Sequence, residues 1–284
     1  MSRILLVGTA TLDLIFELDH YPAQDEEMRA KSLRTSRGGN AANTAVVLAR
    51  LGHVPQFLGV LADTPETAVI ENDFSHHGVE FGSCPKLSGK PPTSSIFLTK
   101  GCRSIVHYRD LPELPAENFS STPLNDVNWV HFEGRNVPEL KRMLADLRGR
   151  QPDIPVSIEL EKHREGIEQL FDQANLLLCS RGFARHHGFE GAHSFLSWMS
   201  SQAGGAEVIV AWGEAGAFGI GDEGRVFHSP AMPPPIARDT LGAGDTFNAA
   251  IIDAKLRGSA LWPALEDGCR LAGIKCGIEG FDVQ

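Results

Sequence analysis

The sequence predicts a single α/β domain in which a mostly parallel β-sheet is flanked by helices on both faces. Two observations support this fold class. Over most of its 284 residues the chain alternates short apolar runs of strand length with longer runs of helical periodicity, which is typical of a parallel sheet covered by helices. Its composition, with 42% hydrophobic and 22% charged residues, is that of an ordinary globular protein with a sizeable core. We therefore expect one domain over residues 1–284.

The individual elements follow from the pattern of each segment. Residues 4–7 are continuously apolar and predict a buried parallel strand, whereas the interrupted apolar run at 12–18 predicts a half-exposed strand. Further along, apolar runs predict strands and amphipathic runs predict helices. The strands are predicted at 55–61, 129–132, 154–160, 176–179 and 208–212, and the helices near 66–76 and 138–148.

Two segments, 12–37 and 91–110, depart from this alternation because they contain strand-like runs with no helix between them. Within the second segment, Lys100-Gly101-Cys102 predicts a hairpin turn between two short strands. We expect these pieces to form a small separate sheet that lies over the functional site.

Residues 239–248 read Asp-Thr-Leu-Gly-Ala-Gly-Asp-Thr-Phe-Asn and join a glycine turn to an apolar helix. Gly242 and Gly244 allow a tight turn, and the helix N-terminus offers unpaired N–H donors to a phosphate or an oxyanion. Asp245 lies at this terminus, where the helix dipole favours its ionised form, so it can accept a proton from a hydroxyl. A Gly-x-Gly turn alone is more often a structural cap, but the complete ten-residue string is more specific.

A second motif, Arg-Gly-Gly-Asn-Ala-Ala-Asn-Thr at 37–44, opens another apolar helix. Asn40 and Asn43 are three residues apart, so both amides project from one face of its first turn. Amides donate and accept hydrogen bonds together, which suits a ligand with several hydroxyls. A lone Asn40 would be interpreted as a helix cap, whereas two amides beside a glycine pair favour a polyol site.

Charge and cysteine content exclude several classes of function. The formal net charge of −10 argues against a nucleic-acid-binding surface. No apolar run reaches transmembrane length, and the apolar start of the chain is too short for a signal peptide. Five cysteines without a Cys-x-x-Cys spacing indicate reduced thiols. We expect a cytoplasmic protein that contacts neither membrane nor nucleic acid.

Both motifs resemble the two signatures of the ribokinase (PfkB) family of sugar and nucleoside kinases. The run His-Phe-Glu-Gly-Arg-Asn at 131–136 and the ending at 275–282 are similar to the ketohexokinase branch of that family, whose members form fructose 1-phosphate. The resemblance covers essentially the whole chain. It implies a ribokinase-like fold in which segments 12–37 and 91–110 form a β-lid, and an ATP-dependent kinase that acts on the C1 hydroxyl of fructose.

The resemblance also implies roles for individual residues. Asp245 would be the general base, and Gly242, Ala243 and Gly244 would hold the γ-phosphate. The sugar would be bound by Asp13, Asp25, Gly39, Asn40 and Asn43. The nucleotide would be bound by Arg103, Glu214, Gly216, Gly242, Gly244, Cys276 and Gly277. Mg²⁺ would accompany ATP, Asp239 would belong to a monovalent-cation site that makes potassium an activator, and the lid would form a homodimer.

Where many family members carry Asn-x-x-Glu, residues 180–183 read Ser-Arg-Gly-Phe, so the magnesium ligands are left unassigned. Two alternatives stay open. One is a kinase for another ketose or a substituted fructose, such as a fructosamine or a sulfosugar. The other is a non-catalytic sugar- or nucleotide-binding regulator, because a fold does not fix a function.

Several further polar residues were weighed as site candidates. The adjacent pairs His76-His77 and His186-His187 point about 100° apart on a helix, so neither pair is a natural chelate. The charged run at 159–164 is interpreted as a solvated junction between a strand and a helix, although Glu159 near the strand end can face the site. Glu133 and Arg135 follow a predicted strand at the edge where parallel sheets bind ligands, which favours a role in the site.

Overall fold

A computed structural model describes residues 1–99, 102–221 and 224–283. Its strands, in chain order, are β1 (Arg3–Val7), β2 (Thr11–Glu17), β3 (Ser32–Gly38), β4 (Val54–Leu58), β5 (Leu61–Ala62), β6 (Lys86–Leu87), β7 (Thr93–Thr99), β8 (Cys102–Tyr108), β9 (Val127–Glu133), β10 (Val156–Leu160), β11 (Leu176–Ser180), β12 (Glu207–Ala211), β13 (Ala217–Ile220) and β14 (Val226–Ser229).

The α-helices are α1 (Asn40–Arg50), α2 (Ala68–His77), α3 (Ala116–Ser120), α4 (Val137–Arg150), α5 (Arg181–His186), α6 (Ala192–Ser200), α7 (Ala243–Leu256) and α8 (Leu261–Cys276). Short 3₁₀ turns lie at Pro65–Thr67, Ile167–Leu170 and Gly213–Ala215. The strands and helices predicted from the apolar runs are confirmed, with bounds that differ by a few residues.

The large sheet has the strand order β14-β13-β12-β11-β10-β9-β1-β4 and is parallel except for β13 and β14. Successive residues of β1 alternate between two cores, as strand geometry requires. Leu5 and Val7 pack with α3, α4, α5 and α6 on one face, and Ile4 and Leu6 pack with α1, α2, α7 and α8 on the other. The predicted parallel sheet with helices on both faces is therefore confirmed.

The segments that broke the alternation form a separate sheet of order β3-β2-β7-β8. Strands β7 and β8 pair antiparallel up to Thr99 and Cys102, while Lys100 and Gly101 of the predicted turn lie outside the described residues. Arg103 of β8 donates to the backbone carbonyl of Thr240, 3.3 Å away. The small sheet thus reaches the glycine turn that precedes α7.

The carboxyl ends of β1, β9 and β10 meet the N-termini of α1 and α7, which pack against each other. Gly8 follows β1, and a Cβ atom there would lie 2.5 Å from the Glu133 carboxylate at the end of β9. This close approach explains why the chain carries glycine at that position. The edge of the sheet where ligands bind in parallel α/β folds is therefore also where the two sequence motifs meet.

Candidate active site

Helix α7 begins within the glycine turn. Gly242 is its N-cap in the left-handed conformation, with φ of 75°, and a Cβ atom there would come within 2.4 Å of the Phe281 ring. Among the described residues, no atom outside the backbone of its own helix lies within 4 Å of the position where Gly244 would carry a Cβ. The first N–H groups of an α-helix lack intrahelical partners, so the turn leaves donors at a helix terminus with open space beside them.

Asp245 is in the first turn of α7 and is buried, with 7% exposure. Its Oδ2 accepts a hydrogen bond from Asn43 Nδ2 at 2.6 Å. Burial raises the pKa of Asp245 to about 7, the carboxylates of Glu161 and Glu133 add to the rise, and the Asn43 hydrogen bond opposes it. Burial therefore opposes the helix dipole, which favours the ionised form of this carboxylate.

The N-terminus of α1 supplies two amides to the same place. Gly39 is the N-cap with φ of 97°, and a Cβ atom there would lie 2.1 Å from the carbonyl oxygen of Thr9. Asn40 does not cap the helix with its side chain. Its Nδ2 donates to Glu159 and Glu161 at 3.2 Å each. Both amides therefore project into the cleft side of α1, as their spacing predicted.

Two buried glutamates line the ends of neighbouring strands. Glu133 Oε2 accepts the backbone N–H of Thr9 at 2.9 Å, and Arg135 donates to Glu133 Oε1 at 2.5 Å. Glu159 Oε1 accepts from Asn248 Nδ2 at 3.0 Å as well as from Asn40. Within the described chain, Glu159 Oε2 is buried without a hydrogen-bond partner. The structure therefore leaves a free acceptor oxygen beside Asp245.

Burial raises the pKa of Glu159 well above its ordinary value, and the nearby charges of Asp245, Glu133 and Glu161 raise it further. Like charges in a low-dielectric site disfavour ionisation of one another. An electropositive ligand, such as a cation or a hydroxyl that donates, would relieve this repulsion. The electrostatics of the cluster therefore favour a ligand that brings positive charge or hydrogen-bond donors.

The small sheet contributes Asp13 of β2 to the same cleft. Asp13 Oδ1 accepts from the Thr11 hydroxyl at 2.7 Å, and burial raises its pKa. A Cβ atom on Gly38 would lie 2.0 Å from Asp13 Oδ2, so this carboxylate packs directly on the glycine pair of the α1 motif.

Asp25, in contrast, lies at an exposed position in the loop between β2 and β3, with φ of 61°. The structure does not bring Asp25 into the cluster.

Between the small sheet, helices α1 and α2, and the turn before α7 lies a cleft of about 220 Å³. Its walls include residues from the sugar-binding prediction and from the turn before α7. These residues are Asp13, Arg37, Asn43, Asp239, Leu241 and Phe281. The cleft therefore contains polar groups from both motifs.

Only some of the residues predicted to bind nucleotide lie near one another. Arg103 reaches Thr240, and the carbonyl of Cys276 accepts the backbone N–H of Arg238 at 2.8 Å. Gly277 caps α8 against Pro234, which would be 3.0 Å from a Cβ there. These groups surround the turn before α7. Glu214 and Gly216 lie instead in the turn after β12, where Glu214 is exposed.

Asp239, at the start of the turn, is enclosed by positive charge. Lys275 of α8 is fully buried and donates to the Asp239 carbonyl oxygen at 2.9 Å, with its ammonium 3.3 Å from Oδ2. Arg34 Nη2 lies 3.5 Å from the same oxygen, and the N–H of Leu241 donates to Oδ1 at 2.9 Å. Sequence reasoning missed Lys275. Its spacing of four residues from the buried Leu271 on α8 was the available signal.

Comparison with known proteins gives the fold and the family. The pfkB family carbohydrate kinase model matches residues 1–282. The chain belongs to this family. Mouse ketohexokinase is 39% identical over 99% of this chain and 98% of its own length, and ribokinase of Bacillus subtilis is 26% identical over 96% and 92%. This member of the family is therefore a carbohydrate kinase, a phosphotransferase with an alcohol acceptor.

Solved structures of other family members share the fold. Arabidopsis thaliana ribokinase, determined with ribose and ATP, superposes with a TM-score of 0.79 at 20% identity, covering 99% of this chain and 94% of that one. Thermotoga maritima ribokinase gives 0.80 at 20% identity, with coverage of 99% and 95%. The ribokinase-like α/β fold predicted from the motifs is confirmed. Among the helices of the described residues, none is long and apolar enough to cross a membrane.

Proposed function

We propose that this carbohydrate kinase transfers the γ-phosphoryl group of ATP to the C1 hydroxyl of fructose, with Asp245 as the general base. The observation that carries the chemistry is the position of Asp245, which is buried at a helix N-terminus with a pKa of about 7. A base with a pKa near the working pH is both available and strong enough to accept a proton. The similarity to mouse ketohexokinase supports the choice of sugar.

In this reaction the C1 oxygen attacks the γ-phosphorus, its proton goes to Asp245, and the bond to the β-phosphate oxygen breaks to release ADP. Phosphoryl transfer demands mainly positioning and charge neutralisation from the protein. The backbone N–H groups of Gly242, Ala243 and Gly244 at the start of α7 would stabilise the charge on the transferred group, although that of Ala243 donates to the Thr240 carbonyl at 3.4 Å in this structure.

The polar groups of the cleft suit a polyol. Asp13 and the amides of Asn40 and Asn43 can each accept or donate several hydrogen bonds, and the Gly39 backbone closes the wall beside them. Arg103, Cys276 and Gly277 would contact the nucleotide beside the turn, and Glu214 and Gly216 would do so from the end of β12. Asp25 would require a change in its loop to reach the sugar of the same chain.

Mg²⁺ accompanies ATP in phosphoryl transfer and neutralises charge on the phosphates. The acidic groups at the site fit that ion, because Glu159 has a buried oxygen with no hydrogen-bond partner among the described residues. Glu159 and Glu161 would hold the magnesium waters in place of the carboxylate that residues 180–183 lack. Their amide partner Asn40 fixes both side chains.

A monovalent cation fits the residues around Asp239 poorly. The Lys275 ammonium and the Arg34 guanidinium already supply positive charge to this carboxylate. A second cation within a few ångströms of a buried ammonium would be repelled. We therefore derive no catalytic step from potassium.

We also propose that the small sheet forms a homodimer. Strands β3 and β8 are the two edges of this sheet, and such edges are usually covered. Exposed apolar side chains on these strands support this proposal, since Leu33, Ile105 and Val106 are 59%, 50% and 64% exposed. Light scattering of the purified protein tests it. A monomer at working concentration would contradict it.

A related ketose is the second candidate substrate, because a Bacillus subtilis fructosamine kinase is 25% identical over 86% of this chain. The test is a coupled ADP-release assay with MgATP across fructose, tagatose, fructosamines, a sulfosugar, glucose, ribose and adenosine, followed by NMR of the product. We expect the highest kcat/KM with fructose, and the 1-phosphate as product.

Two results would revise the proposal. Higher kcat/KM with a modified ketose would keep the mechanism and replace the substrate. No turnover of any acceptor, together with measurable sugar binding, would favour a non-catalytic regulator. Asp245→Asn is the matched control, since turnover that survives in this variant comes from a contaminating kinase or from a different base.

A further inference from the structure

A second cluster of polar side chains lies beyond the active-site cleft, where the loop after β10 meets the end of α5. It consists of His163 in that loop, Glu168 in the 3₁₀ turn at 167–170, and His187 at the C-terminus of α5. One imidazole nitrogen from each histidine and one carboxylate oxygen lie within 4.8 Å of one another. Three separate pieces of chain thus place three metal-ligand atoms together.

Two of these atoms have no hydrogen-bond partner within the described ranges. His163 Nδ1 and His187 Nε2 are both buried from solvent and unpaired. The nearest carboxylate oxygen, Glu168 Oε1, is 3.7 Å from His163 Nδ1, which is too far for a hydrogen bond. Buried polar atoms normally have partners, so these two nitrogens are available to a ligand.

The imidazole rings are held in position by aromatic contacts. His163 stacks on His186 with ring centroids 4.2 Å apart and an interplanar angle of 14°. His187 packs against Phe183 at 4.6 Å and Trp198 at 5.0 Å. The adjacent rings of His186 and His187 meet edge to face, with centroids 5.6 Å apart. His187 also lies beside His163, which comes from a different part of the chain. Local sequence spacing does not reveal this contact.

We propose that His163, Glu168 and His187 bind a divalent transition-metal ion, with Zn²⁺ as the ion that suits them best. Two imidazoles and one carboxylate, with a fourth position open to water, are a known zinc ligand set. Mg²⁺ and Ca²⁺ prefer oxygen ligands alone, so the two nitrogens select against them. Zinc ligands about 2.0–2.2 Å from the ion lie roughly 3.3–3.5 Å apart. The three atoms, which lie within 4.8 Å of one another, would move closer together when they bind the ion.

The site is distinct from the magnesium-nucleotide site but is joined to it by a short piece of chain. His163 follows Glu161 by two residues, and the Glu161 carbonyl accepts a hydrogen bond from Ser180 at the start of α5, 2.6 Å away. A bound ion would link the same loop to α5 a second time, now at the C-terminal end of that helix. Zinc is therefore expected to stabilise the folded protein, since it binds the assembled site more tightly than the unfolded chain.

The test is Zn²⁺ titration of tag-free protein by calorimetry, after removal of metal with a chelator and in the presence of excess MgCl₂. We expect one ion per chain, and visible absorption bands of tetrahedral Co²⁺ when cobalt replaces zinc. At a hundredfold excess over its dissociation constant, zinc should raise Tm by roughly 5 °C.

Variants decide whether these three side chains are the ligands. Glu168→Gln and His187→Gln should each weaken Zn²⁺ binding by at least about tenfold and abolish the cobalt bands. Glu168 is exposed, so its substitution keeps the fold intact even if His187→Gln does not. His193→Gln, in the neighbouring helix α6, is the matched control and should bind as the wild type does.

Three results would overturn the proposal. The first is a wild-type protein that binds no Zn²⁺ at one ion per chain. The second is unchanged affinity in Glu168→Gln, and the third is displacement of Zn²⁺ by millimolar Mg²⁺, which would assign the ion to the carboxylates of the active site. None of these outcomes depends on kinase activity, so the proposed function and the zinc site are tested separately.

Discussion

Asp239 and Asp245 stand at the two ends of the same glycine turn, and both are buried, yet their surroundings are opposite. Asp239 is enclosed by the Lys275 ammonium, the Arg34 guanidinium and a backbone N–H. Asp245 accepts one hydrogen bond from Asn43, and the carboxylates of other residues surround it. The negative charge of Asp239 is therefore balanced by positive charge, whereas the surroundings of Asp245 disfavour its ionised form.

This difference shows that burial alone does not identify a carboxylate that takes part in catalysis. A buried group whose charge is already paired fixes the backbone, because changing it leaves the partner charge unpaired. A buried carboxyl with like charges around it has a pKa raised toward neutral, so it can accept a proton near the working pH, as a general base requires.

The largest effect is expected for Asp245→Asn. Loss of the proton acceptor should lower kcat by roughly 10²–10⁴-fold, while the dissociation constant for the sugar changes little because the amide still pairs with Asn43. Steady-state kinetics and calorimetric sugar binding measure the two effects. Asp253→Asn, on the same helix and away from the cleft, is the control with near-wild-type turnover. If Asp245→Asn also turned over at the wild-type rate, Asp245 would not be the base.

Asp239→Asn should act on stability instead. The Lys275 ammonium would be left buried without its carboxylate, which costs about 3–5 kcal/mol of unfolding free energy. Urea unfolding measures this loss. Because the two charges depend on each other, the double variant with Lys275→Met should lose less than the sum of the single losses. Additive losses would mean that the pair is not coupled.

Whereas Asp239→Asn should destabilise the protein, Asp245→Asn should stabilise it at neutral and alkaline pH. The folded-state pKa of about 7 exceeds the ordinary value of 3.8, so the folded protein binds more protons than the unfolded chain between these values. Wild-type stability therefore falls as pH rises through this window, and the asparagine variant is spared that loss. At pH 8 the variant should be more stable by about 1–3 kcal/mol, with no gain below about pH 4. A pH-independent difference would contradict the raised pKa.

Much of the architecture could be predicted because it depends on local patterns. The apolar run at 4–7, the glycine pair before Asn40 and the turn before α7 each carry their own signal, and the structure places them as expected. Helix spacing also placed Asn40 and Asn43 on one face. These features need only neighbouring residues to define them.

The features that sequence reasoning missed depend on distant partners. The pKa of Asp245 is raised by burial and by glutamates on β9 and in the loop after β10, which local sequence spacing does not show. Lys275 finds Asp239 across two elements. His187 meets His163 through the fold of the loop after β10, although the two histidines are 24 positions apart in the sequence. Charge clusters that are assembled from separate elements cannot be predicted from the spacing of residues within one segment of the sequence.

The smallest effect is expected for potassium. The family resemblance implies activation by a monovalent cation at Asp239, whereas the ammonium of Lys275 already lies 3.3 Å from that carboxylate. Since the built-in charge serves the same electrostatic purpose, kcat should be the same in potassium and in tetramethylammonium buffers.

Lys275→Met sharpens this last comparison, because it removes the built-in charge and leaves Asp239 beside Arg34 alone. A potassium ion could then enter beside the carboxylate, and the variant should become activated by potassium while the wild type stays indifferent. Parallel kinetics in the two salts measure this gain. Strong activation of the wild-type enzyme would show that the cation binds at other oxygens of the turn, and that Lys275 fixes the loop without replacing the ion.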